Sequence, residues 1–66
     1  MKDKLIKAAL QRFKADKLES EVNLSIYLER VTGISDHPNV VQDVVELTKK
    51  IANADECIKI LQAKLV

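Results

Sequence analysis

A chain of 66 residues is one domain at most, and domains this small seldom bury enough apolar surface to stand alone without a disulfide, a metal or a partner. A single cysteine, Cys57, excludes an intrachain disulfide, and with the one histidine, His37, it falls short of a zinc ligand set. Association is the remedy left, and no cofactor is expected. Charged residues are 32% of the chain but the net charge is only +1, without the basic excess of a dedicated nucleic-acid binder.

The apolar runs are too short to span a bilayer, so no membrane partner is expected. Met1-Lys2-Asp3-Lys4 leads into an amphipathic pattern and not into the apolar core of a signal peptide. With one lone thiol, the expected compartment is a reducing cytoplasm.

From Lys2 to Val31 there is neither glycine nor proline, and helix formers dominate. Ile6, Leu10, Phe13, Lys17, Ser20, Leu24, Tyr27 and Val31 recur at alternating steps of four and three, a heptad seam that is apolar except at Lys17 and Ser20. Ala9 and Leu28 widen it on either side. The stretch from Val31 to Asn39 then holds the only glycine and the only proline. Gly33 suits a left-handed helix end, with Ile34 folding back on the last turn. Pro38 biases His37 away from helical angles and suits a first helical turn. Ser35, Asp36 or His37 can cap the second helix, Asp36 with its charge at the positive end of the dipole. From Asn39 onward Val40, Val44, Leu47, Ile51, Ala54, Ile58, Leu61 and Leu65 repeat the same alternation without a polar interruption.

The two seams match when the chain is folded at Gly33. Val31 meets Val40, Tyr27 meets Val44, Leu24 meets Leu47 and Ser20 meets Ile51. Lys17 meets Ala54, Phe13 meets Ile58, Leu10 meets Leu61 and Ile6 meets Leu65. Arg30 then falls near Asp43 and Lys14 near Asp55. The expected fold is all-α: an antiparallel, coiled-coil-like hairpin with a helix over about 2–32, a turn at 33–37 and a helix over about 38–65. Its waist, at Lys17, Ser20 and Ala54, is thin. It serves either close helix approach or admission of a partner's side chain.

A lone hairpin should be polar outside its seam, and this one is not. Ala15, Leu18, Val22 and Ile26 form a row on the first helix away from the seam, and Val41, Val45 and Ala52 form a strip beside the seam of the second. Rows at helical spacing point to packing. The expected use is self-association, most simply a dimer forming a four-helix bundle; the alternative is a groove for a foreign helix. Charge is segregated too. Lys2, Lys4, Lys7, Arg12, Lys14 and Lys17 dominate the first turns, and Lys49, Lys50, Lys59 and Lys64 the last, whereas Glu19, Glu21, Glu29, Asp36, Asp43 and Glu46 surround the turn with only Arg30 against them.

No catalytic constellation is visible. Asp36 and His37 are adjacent turn residues, not a triad, whose members are defined by geometry. Cys57 precedes seam residue Ile58 and reads as half-buried packing. Tyr27 reads as a core residue whose hydroxyl reaches the edge. There is no glycine-rich phosphate loop and no metal-ligand spacing.

The order Ile26-Tyr27-Leu28, Gly33-Ile34, Asp36-His37-Pro38 and then a short apolar helix resembles small uncharacterised proteins of tailed bacteriophages, including phages of marine cyanobacteria. Those proteins carry an Asn-Pro before the glycine and a second glycine after the isoleucine, where this chain has Arg30-Val31-Thr32 and Ser35. The resemblance implies a phage product acting in the host cytoplasm or in the particle, and it carries no activity. The expected function is non-enzymatic, through self-association and protein contacts. The alternative is a regulatory binder of a host protein, and a nucleic-acid accessory role ranks below both.

Overall fold

The computed structural model describes residues 1–29 and 39–65. The described chain is all-helical: α1 spans Lys2–Glu29, α2 spans Val40–Lys64, and the two pack along each other. Neither segment contains glycine or proline, so nothing interrupts the hydrogen-bond ladder. Charge placement agrees with the helix dipole at three of the four ends, with Asp3 and Asp43 in the first turns and Lys64 in the last turn of α2.

The cap of α2 differs from expectation. It falls on Asn39 and not on Ser35, Asp36 or His37, and Asn39 makes no side-chain cap hydrogen bond. Its carbonyl accepts from the Asp43 amide at 3.0 Å. The expected turn residues Gly33, Asp36, His37 and Pro38, and the Val31 layer, lie outside the described residues.

Two contacts fix the direction and register of the pair. The Lys17 Nζ donates to Asp55 Oδ1 at 2.9 Å, and the Tyr27 hydroxyl donates to Asp43 Oδ2 at 2.7 Å. Asp55 adjoins Ala54 and Asp43 adjoins Val44, so advancing along α1 means retreating along α2. The helices are antiparallel, in the register that set Lys17 against Ala54 and Tyr27 against Val44.

The side chains withdrawn from solvent are those of the heptad seam. Leu10, Ala54 and Ile58 are buried, as is Ser20. Ile6, Phe13, Leu24, Val40, Val44, Leu47, Ile51 and Leu61 are half-buried, as are Ala9 and Cys57. At the waist Ser20 is 5% and Ala54 2% exposed. Two of the smallest side chains in the seam are thus among its most covered, because small residues let helix backbones close on each other. Two residues depart from expectation: Leu28 is 61% exposed and does not widen the seam, and Leu65, the expected partner of Ile6, is 37% exposed.

The pair is a rod of 48 × 15 × 14 Å. With so little buried, each covered side chain matters. Leu10→Ala is expected to cost about 2–5 kcal/mol by cavity formation, whereas Leu5→Ala, at an exposed position on the same helix, should stay within about 0.5 kcal/mol. Urea denaturation of both variants at one protein concentration checks this, and equal losses would show that Leu10 is not in the core.

Candidate functional site

Every member of the two outward rows is exposed: Ala15, Leu18, Val22 and Ile26 on α1, and Val41, Val45 and Ala52 on α2. Among the five larger side chains exposure runs from 38% at Val45 to 78% at Val41. The α1 row explains a contrast between the helices. Apolar residues occupy opposite faces of α1, so its amphipathicity is weak, whereas α2 concentrates them toward one side.

At about 100° per residue, Leu18, Val41, Val45 and Ala52 share one flank of the antiparallel pair, and Ala15 and Val22 continue that surface around the back of α1. Ile26 turns further. It lines a groove of about 290 Å³ on the other flank, with Asn23, Tyr27, Asp43, Glu46, Leu47 and Lys50. A second groove of about 320 Å³ runs on past Ser20 and Ala54 and shares Asn23, Leu47 and Lys50 with the first. The seven residues therefore do not make one flat patch. Six wrap from a flank onto the back of α1, and Ile26 sits at the lip of a groove of mixed polar and apolar lining.

One residue belongs to the apolar surface although its type gave no signal. Thr48 stands between Val45 and Ala52, and its hydroxyl donates to the Val44 carbonyl at 2.8 Å within its own helix. Its polar requirement is met internally, which leaves its methyl group available to the row. Val41, Val45, Thr48 and Ala52 then follow steps of four, three and four, a second heptad seam on α2.

The edges of the primary seam are polar. Asp55 is held by two lysines, Lys17 at 2.9 Å and Lys59 at 3.4 Å, and not by the expected Lys14. Lys17 wins because its stem already lies in the seam and its ammonium emerges at the flank beside Asp55. The hydrogen bonds from Lys17 and Lys59, reinforced by their charges, hold the Asp55 carboxyl below its ordinary value of 3.8. The same hydrogen bond and the Asp55 charge raise Lys17 above 10.5. The expected Arg30–Asp43 pair involves a residue outside the described ones; Asp43 accepts from Tyr27, and this hydrogen bond, with partial burial and the carboxylate charge, raises the phenol above 10.0.

No group of three or more histidine, cysteine or acidic residues able to hold a metal occurs among the described residues. No helix among them is long and apolar enough to cross a membrane. No protein-family model, curated protein or solved structure matches the chain. The geometry itself therefore carries the functional argument.

Two titrations follow. Tyr27 is the only tyrosine, so tyrosinate absorbance reads one site. Its midpoint should lie above 10.0 and fall back toward that value in Asp43→Ala; an unshifted midpoint in the wild type would contradict the hydrogen bond. Because Asp55 is lowered on folding, its contribution to stability is present above 3.8 and is lost as pH falls through the folded value. The advantage of wild type over Asp55→Asn in thermal melts should hold at neutral pH and vanish in acid below 3.8. An advantage unchanged by acid would refute this account.

Proposed function

We propose that this chain is a non-enzymatic helical protein that works through association, pairing with a second copy to complete a four-helix bundle. One observation carries the reading: the hairpin leaves apolar rows on both helices uncovered, while among the described residues it buries only Leu10, Ala54, Ile58 and Ser20 in its own seam. A two-helix unit of this size is below what a single core usually stabilises, and a partner laid on those rows supplies the missing burial. The setting proposed from the resemblance to phage proteins is an infected bacterial cell or the particle. A second reading draws on the same exposed rows: they receive an amphipathic helix of a host protein, as groove-binding regulators do.

Sedimentation of the wild type and of Val22→Glu separates the two. Self-association predicts a wild-type mass of about twice 7.4 kDa, with Val22→Glu falling to a monomer of reduced helicity, because a buried unpaired charge is costly. A fully folded wild-type monomer, unaffected by Val22→Glu, would sink self-association and leave the rows to a foreign helix.

A further inference from the structure

The charges on the rod specify how a second copy would lie on it. Among the described residues, the turn-side halves of the two helices, 18–29 and 39–48, carry five acidic side chains and no basic one. The open-end halves, 1–17 and 49–65, carry ten basic side chains against four acidic. The molecule is thus an electric dipole 48 Å long. Opposite ends lie several Debye lengths apart, at about 8 Å each in physiological salt, so each half responds chiefly to whatever lies directly beside it.

The rod also has surface to spare. It exposes 5288 Å², roughly 1,000 Å² more than the about 4,200 Å² expected for a folded monomer of its mass. That excess is on the scale of the about 800 Å² that each partner buries in a standard stable interface. The apolar rows lie along the length of the rod and not at an end, so a partner that covers them lies alongside.

We infer that the partner is a second copy of this chain lying antiparallel, its turn end beside the open end of the first, with Leu18 and Val22 of α1 near the dyad. This rests on the self-association proposed above and adds its orientation. Side by side in the same direction, two halves with ten basic residues each would repel along their length. Reversed, each basic half lies against an acidic one. Leu18 and Val22 are close to the middle of α1, so a two-fold axis through that region superposes the α1 row on its own reversed copy, as an isologous interface requires.

Spin-label distances test the orientation in the full chain carrying Cys57→Ser. One label is placed on Lys4→Cys at the open end and another, in a separate sample, on Glu21→Cys, which is exposed beside Leu18 and Val22 near the middle. The inference expects an inter-copy Lys4 distance approaching the 48 Å length of the rod and a short Glu21 distance, with added salt weakening the pair. A Lys4 distance on the order of 20 Å, about two helix diameters, together with a short Glu21 distance means a parallel dimer: the orientation is overturned and self-association survives. No inter-copy distance at either site, with a monomeric mass, removes self-association and this inference together.

Discussion

Ser20 and Ala54 have no side chain long enough to hold two helix axes apart, and both are buried where the helices meet. Small residues of this kind permit close helix approach, and the rest of the seam is arranged around them. Leu10 and Ile58 are buried on the open side of the waist. Ile6, Phe13 and Leu61 on that side, and Leu24, Tyr27, Val44 and Leu47 toward the turn, are half-buried. Close approach also exacts a consequence on the outside. Two slender helices in contact cover only one stripe of each other, and any apolar residue beyond that stripe meets solvent.

The polar contacts stand at the margins of the seam and act on its specificity. Lys17 occupies a position that would take a leucine in a uniform heptad. It keeps its charge by sending the ammonium to Asp55, which Lys59 also serves. Tyr27 does the same with a hydroxyl, reaching Asp43 while its ring stays in the seam. Partly exposed pairs of this kind add little to stability. Each nevertheless joins one residue of α1 to one of α2, and together they define a single alignment.

The seam and its register were legible in the sequence because heptad spacing is a long signal, repeated on both helices and crossed by matching layers. The outward rows were legible as well, since they too are periodic. Other features depended on geometry that residue order does not contain. Lys14 and Lys17 were both within reach of Asp55 on paper, and only the path of the Lys17 stem through the waist decides between them. Leu28 stands next to Tyr27, yet a single step of about 100° turns it out of the contact. Ile26 shares the spacing of Leu18 and Val22, but its accumulated rotation carries it to the other flank. Thr48 gave no apolar signal because its hydroxyl is satisfied by its own helix, a fact visible only in three dimensions. The residue that caps α2 was not legible, since several polar residues before Pro38 had equal claims to that place and it falls on Asn39.

The Lys17–Asp55 and Tyr27–Asp43 contacts have a further consequence for the hairpin's competitors. A heptad repeat is nearly indifferent to sliding by seven residues, since apolar positions then meet apolar positions again. Such a slide would move Lys17 from the Ala54 layer to that of Leu47 or Leu61. The residues that then take the place of Asp55 are Thr48 and Gln62, and neither carries a negative charge. Tyr27 slid toward Ile51 would find Lys50 where Asp43 had been. The two contacts therefore act as index marks on an otherwise repeating scale: they discriminate against the one family of misalignments that the apolar pattern tolerates.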